Sequence, residues 1–493
     1  MTRFSGVLLP VFSLPSRHGI GDFGAEARRF ADLLANHGAA AWQILPLNAG
    51  NPENGESPYF SVSAFAINPL LISLEGLQDA GLLTREDLAC LPELPQGMIH
   101  YSEVRSLKWP LLEKAAAAFR GGPAFDEFCR EHRHWLEDFT LFDALRAEYP
   151  SDWTAWPEPL RERDPQALAA FAAAKPEAIR SRKVLQFLAW AQWQDLRAYC
   201  KNKNLAVIGD MPIYVALDSA DTWANPSLFK LDATRRPVAV SGVPPDSFSA
   251  DGQLWNNPVY AWDAHQKDGF AWWIRRLRHM FALYDTVRID HFRGLVQYWE
   301  IPAGEPTAVN GAWKDVPTRE FLDALTAAFA PFPVICEDLG VITDDVRQVM
   351  EDYRLPGMRV LQFAFEDDDP GNPHLPANYP DPCLVYTGTH DNLPTCGWLK
   401  TADGKTMARI AALTGRHAEP RDMVWDLIEL GMQSRASAAI FPLQDLLGMD
   451  ESSRINNPAR MEGNWRWRWN AADHPARSAF AKYQELAKKH GRA

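Results

Sequence analysis

The sequence predicts an α/β protein, a (β/α)8 TIM barrel with helical and loop insertions between barrel strands. Three observations predict it: short apolar runs recur along the chain, helical periodicity falls between them, and acidic residues stand where four of the runs end. The runs rich in Val, Ile and Leu cover residues 6–10, 41–47, 205–215, 286–291, 333–339, 359–365 and 383–391, and an eighth is read at 439–443. A continuous apolar run marks a strand covered on both faces, as strands of a parallel sheet are. Between them, Phe270, Trp273, Ile274, Leu277, Met280, Phe281 and Tyr284 make one stripe at helical spacing, and residues 26–34 and 318–329 are similar. Strands alternating with helices build a parallel α/β fold.

Two spacings are too long for a simple strand–helix–strand unit. One holds Ala-rich helical patterns at 167–174 and 184–199, and the other is rich in Pro, Asp and Trp. They are expected as insertions at about 69–203 and about 218–269, forming subdomains around the cleft of a single barrel spanning 1–493. No internal repeat or low-complexity tract interrupts this reading.

Composition narrows the partners. With 493 residues, 46% of them hydrophobic, the chain can bury a large core. Its 63 acidic against 50 basic residues leave a net charge of −13, which repels phosphate backbones and anionic membranes. No nucleic acid and no membrane is therefore expected as a partner, whereas a neutral substrate fits. The six cysteines form no CxxC pair, so neither a zinc nor a redox motif is present, and they suit a reduced, cytoplasmic protein. The first ten residues lack the pattern of a signal peptide, and no apolar run is long enough to span a bilayer. No cofactor and no metal is expected. The 19 tryptophans and 37 prolines suit a cleft in which sugar rings stack on aromatic faces, although most aromatics are expected in the core.

One motif misleads. Gly19, Gly21 and Gly24 spell GxGxxG after the first strand. A dinucleotide site also needs an acid about twenty residues further on to hold the ribose. Residues 39–47 contain none, so the glycines are read as a tight turn into the helix that begins near Glu26.

Barrel enzymes carry their chemistry at the C-terminal ends of the strands. Here the third strand ends in Asp210, the fourth in Arg288-Ile289-Asp290, the fifth in Glu337-Asp338 and the seventh in His390-Asp391. One acid at a strand end is commonplace, but four at one mouth repel each other, and that repulsion must be offset. Arg288 and Asp290 are two apart and share a face of their strand, so the guanidinium is expected to keep the carboxylate ionised. Glu337 and Asp338 are adjacent and must face opposite ways, so only one enters the cleft and the other ties a loop or helix. Paired carboxylates can protonate a glycosidic oxygen and attack the cationic sugar.

The segments that carry these residues resemble the 4-α-glucanotransferases called amylomaltases or disproportionating enzymes, a branch of the α-amylase clan. The resemblance runs over nearly the whole chain: LLPVFSLPSRHGIGDFG at 8–24, WQILPLN at 42–48, SPYFSVSAFAINP at 57–69, IGDMPIYV at 208–215, GVPPDSFSADGQLWNNPVY at 242–260, then RIDHFRG, CEDLG, GTHDN and NWRWR at 464–468. It implies that Asp290 is the nucleophile, Glu337 the general acid/base and Asp391 the transition-state stabiliser. It places Tyr59, Asp210, Trp255, Arg288, His390 and Asn456 among the substrate contacts. It also implies a maltodextrin or other α-1,4-glucan as donor and acceptor, transfer with retention, and a covalent glucosyl-enzyme. The chain departs from the family pattern at Phe60, at the Asn-rich loop 51–55, at Cys336 and in RINNPAR at 454–460. Two rivals remain at this point: a hydrolase with the same carboxylates, told apart by its products, and a silent glucan-binding protein.

Overall fold

A computed structural model describes residues 3–245, 249–416, 419–460, 462–472 and 476–493; Asp246, Ser247 and Phe248 of the 242–260 motif lie outside the described residues. The first six strands are β1 (Phe4–Leu8), β2 (Ala41–Gln43), β3 (Ala206–Met211), β4 (Ala239–Val243), β5 (Gln253–Pro258) and β6 (Thr286–Ile289). The remainder are β7 (Gln297–Pro302), β8 (Ala312–Asp315), β9 (Val334–Cys336), β10 (Gly357–Val360), β11 (Cys383–Tyr386) and β12 (Ala438–Pro442). Eight of them, in the order β1-β12-β11-β10-β9-β6-β3-β2, close a parallel barrel, which is the expected fold.

Every barrel strand overlaps one of the apolar runs. Alternate residues point into the lumen, where Leu8, Ile208, Ile335, Met358, Leu384 and Ile440 pack together. Burying each such side chain contributes roughly 1.5–3 kcal/mol. The sixth run is strand only at its start: β10 ends at Val360, and Leu361–Phe365 coils into a 3-10 helix. LQFAF is apolar apart from the buried Gln362, and hydrophobicity alone does not separate a buried turn from a buried strand.

The helices expected between the runs form at Ala25–Asn36, Ala271–Leu283 and Thr318–Ala328. The segment 69–203 is helical, with long members at Tyr101–Ala118, Arg133–Glu148 and Pro176–Asn202. The last of these is fastened to the barrel. Trp193 Nε1 donates to Leu283 O at 3.0 Å, and Gln186 makes paired 2.9 Å bonds with the backbone of Ile67. The second long spacing holds β4 and β5, but these do not stand alone. They join β7 and β8 in an antiparallel sheet of order β5-β4-β7-β8, so the hairpin at 297–315 belongs with this insertion although it follows the fourth barrel strand.

The seam between first and last strands is reinforced by a buried arginine. Arg492 Nε donates to Met432 O at 2.6 Å, Nη1 to Phe4 O at 3.0 Å and Nη2 to Ser434 O and Ala436 O at 2.9 and 2.7 Å. Among the described residues, no helix is long and apolar enough to cross a membrane.

Candidate active site

The period of two places the acids. On β3, Ile208 points into the lumen, so Asp210 continues the same row; on β9, Ile335 points inward, so Glu337 follows it toward the mouth. Gly209 is required beside Asp210, because a Cβ there would stand 2.2 Å from the Tyr284 ring. Asp338 turns outward, where it accepts from Met358 N at 2.6 Å and Arg359 Nη1 at 2.7 Å. Gly357 leaves room for that carboxylate, since a Cβ would meet it at 2.5 Å. The adjacent acids thus divide as alternation requires, but the second is tied to the neighbouring strand β10 and not to the loop or helix expected.

Arg288 lies at the centre of the cluster. It pairs in register with Asp210 on the neighbouring strand, and its Nη1 donates to both Asp210 oxygens at 2.8 Å and to Asp290 Oδ1 at 3.0 Å. Burial works against the charge on Arg288, but Asp210 and Asp290 outweigh it and hold the guanidinium firmly protonated. Asp290 itself departs from expectation. Burial, reinforced by Asp210, Glu337 and Asp391, pushes its carboxyl well above the usual carboxylate range, and Arg288 only opposes the rise. Glu337 is raised for the same leading reason, against Arg288 and two N–H donors: Leu339 N to Oε1 at 2.9 Å and His291 N to Oε2 at 2.7 Å. The two acids therefore hold a proton to higher pH than isolated carboxylates would.

On the opposite side, Tyr59 bridges two of the strand ends. Its hydroxyl donates to Asp210 Oδ2 at 2.7 Å and lies 2.9 Å from His390 Nε2. A phenol has one proton and a carboxylate can only accept, so His390 must donate from Nε2 to the Tyr59 oxygen. Burial lowers the His390 pKa, with Asp391 opposing, and the ring is stacked on Tyr59 at 5.5 Å and 11°. Trp465 closes this aromatic group at 5.5 Å from Tyr59 and 6.1 Å from His390. Asn456 Nδ2 donates to Asp391 Oδ1 at 2.6 Å, and Arg454 Nη2 donates to Asp391 O at 2.6 Å. Trp255, on β5, meets the His291 ring edge-on at 4.8 Å.

All nine residues singled out in the sequence thus belong to one connected site, but at different depths. The side chains of Asp290 and Asp391 keep 27% and 37% of their surface exposed, whereas Asp210 has none and Arg288 has 2%. Asp210, expected among the sugar contacts, offers a sugar no surface here; it orients Arg288 and Tyr59. Asn456 is spent on Asp391 in the same way. Trp465 and Arg454 were not singled out, although both lie in motifs that the sequence displays. Their signal was the stretch 454–468, whose contacts with the seventh strand end only the fold reveals. Among the described residues, no group of three or more His, Cys, Asp or Glu side chains could hold a metal ion.

The comparisons with known proteins now decide the family. The family model described as 4-alpha-glucanotransferase matches residues 9–473. The chain belongs to the 4-alpha-glucanotransferase family. The resemblance read from RIDHFRG, GTHDN and the other segments is borne out. The 4-alpha-glucanotransferase of Aquifex aeolicus is 43% identical over 480 residues, 97% of this chain and 98% of that one. That of Thermus thermophilus is 44% identical over 481 residues, 95% of each. In structure, the chain is similar to an amylomaltase from Streptococcus agalactiae solved with acarbose, with a TM-score of 0.95, 34% identity and complete coverage of both chains. An amylomaltase from Corynebacterium glutamicum shares the fold at a TM-score of 0.82 and 20% identity, covering 98% of this chain and 75% of that one. Membership makes this chain a glucan-transferring enzyme, the class its motifs implied.

Proposed function

We propose that this 4-alpha-glucanotransferase moves α-1,4-glucan segments between maltodextrin chains with retention, and that Asp290, Glu337 and Asp391 carry the reaction. The observation that supports the assignment is the convergence of these three acids on one barrel mouth, two of them open to the cleft and Arg288 binding Asp290 from beneath. Asp290 attacks the anomeric carbon while Glu337 protonates the departing glycosidic oxygen. The bond to the leaving chain breaks as the bond to Asp290 forms. In the second step Glu337 takes the proton of an acceptor 4-hydroxyl, whose oxygen displaces Asp290 from the same carbon. Two inversions retain configuration, and this geometry calls for carboxyls roughly 5–5.5 Å apart in the working complex. Asp391, held by Asn456 and beside His390, stabilises the cationic sugar.

Arg288 stands in place to hold Asp290 as the anion that attacks, against the burial and neighbouring acids that raise its pKa. Tyr59, Trp255 and His390 contact the sugars, and Asp210, Arg288 and Asn456 act through their neighbours. The insertions at about 69–203 and about 218–269 frame the cleft, one through its hold on the loop bearing Tyr59 and the other through Trp255. The six free cysteines support a cytoplasmic site of action.

Maltotriose alone tests the reading. A transferase yields glucose and a ladder of longer chains while the number of reducing ends stays constant. A steady rise in reducing ends with no product longer than the donor would identify a hydrolase. Asp290→Asn is expected to abolish turnover and still bind maltodextrin.

A further inference from the structure

The turn after Asp290 touches the strand end bearing Glu337 at three levels. His291, in the left-handed region at φ 48°, gives its N–H to the Glu337 carboxylate, and Phe292 N donates to Glu337 O at 3.0 Å. The third contact is made by a side chain. Arg293 Nη1 donates to Val341 O at 2.6 Å and to Thr343 Oγ1 at 3.2 Å, both in the loop that follows Glu337. The guanidinium carbon lies 3.8 Å from the centre of the Trp313 ring on β8, so the antiparallel sheet of the insertion backs it.

This is a costly arrangement for mere packing. Arg293 is 5% exposed, forms no ion pair among the described residues, and buries its Nε without a partner. Burial lowers the Arg293 pKa and the more distant Asp345 carboxylate only opposes this, so the desolvated cation relies on its hydrogen bonds and the ring contact. Such a group persists where something else requires it. The two main-chain contacts fix Glu337 and its own carbonyl, and Arg293 ties the far end of its loop to the turn after Asp290. Proton transfer needs the acid within hydrogen-bond reach of the leaving oxygen, and a misplacement of about 1 Å can cost about a hundredfold.

We infer that Arg293 is a positioning residue for Glu337: backed by Trp313, it fixes the loop 337–343 and so aims the acid/base at the bond being cleaved. The inference rests on the proposed role of Glu337. It makes the insertion sheet a participant in proton transfer through one side chain.

The test compares two donors. Maltotriose has a poor leaving group that needs the acid, and α-glucosyl fluoride has one that departs with little help. Arg293→Met keeps the apolar stem and removes the hydrogen bonds. It is expected to lower kcat on maltotriose by about 10- to 100-fold with little change in KM, while the fluoride-release burst stays within about threefold of wild type. Arg293→Lys should recover part of the loss. A barrel that is merely destabilised slows both donors in proportion, and that result overturns the proposal. If Arg293→Met does not fold, Trp313→Ala is measured in its place, with the same split at smaller size expected; no split overturns the proposal. Glu337→Gln separates the two claims. If it too handles both donors equally badly, the acid assignment falls. If it splits them and the Arg293 and Trp313 variants do not, only the positioning role falls.

Discussion

Replacing Tyr59 by Phe deletes one oxygen and leaves the ring stacked on His390. That oxygen donates to Asp210 Oδ2 at 2.7 Å and accepts from His390 Nε2, so the change breaks a link between the third and seventh strand ends that runs through Tyr59. Asp210 keeps its 2.8 Å bonds from Arg288, so its charge stays partly satisfied. A hydrogen bond to an ionised group contributes about 1.5–3 kcal/mol, and a tenfold rate change corresponds to about 1.4 kcal/mol. If that energy is expressed in the transition state, kcat/KM on maltotriose falls by about 10- to 150-fold. The assay is glucose release over a range of maltotriose concentrations, with a thermal melt to show that the barrel is intact. Since the ring remains, maltodextrin binding should be nearly unchanged in Tyr59→Phe and weakened in Tyr59→Ala. A Tyr59→Phe enzyme within about threefold of wild type would refute the argument, because the hydroxyl network would then carry no catalytic energy.

Three further outcomes are expected. Removing the Trp255 indole should raise the hydrolysed fraction of maltotriose or lower transfer, because water competes with the acceptor for one intermediate; an unchanged product ratio would remove Trp255 from the acceptor's surroundings. Exhaustive chelation should leave activity intact, since the carboxylates are needed free; a large loss restored by calcium would contradict this. His279, buried with Nε2 2.9 Å from Phe65 O, has its pKa pushed down to about 3 by burial. A histidine kept neutral in the fold contributes stability in full above its unfolded pKa of about 6.5 and loses it as pH falls from there toward 3, at up to about 1.4 kcal/mol per pH unit. His279→Gln should flatten the fall in denaturant midpoint between pH 6.5 and 4.5, and parallel curves for the two proteins would count against the account.

The parts of the fold that alternate or repeat were legible in the sequence. Buried parallel strands are apolar on both faces, so their runs stand out, and the period of two alone sends Glu337 and Asp338 to opposite sides. Depth was not legible. Asp210 looks in sequence like any other acid at a strand end, and only the register of β3 with β6 shows that Arg288 and Tyr59 cover it. The raised pKa of Asp290 was not legible for a related reason: spacing reveals the Arg288 neighbour but not the burial or the other acids that oppose it. The hairpin at 297–315 was not legible, because Tyr298 and Trp299 are adjacent and break the period of two, and a short antiparallel strand without clean alternation looks like loop. Trp465 sits at φ 63°, a backbone state that its residue type gives no reason to expect.

The seam that Arg492 reinforces also bears on how the protein is made. β1 begins at Phe4 and its partner β12 at Ala438, so one edge of the first strand has no neighbour until nearly the whole barrel has left the ribosome. At roughly 5–20 residues per second, that wait is about 20–90 s. During it, an apolar strand edge is open to other nascent chains, a recognised route to aggregation. Production of this enzyme in a fast-translating host should therefore depend on chaperone capacity more steeply than its folded stability would suggest, and slower synthesis at low temperature should raise the soluble yield.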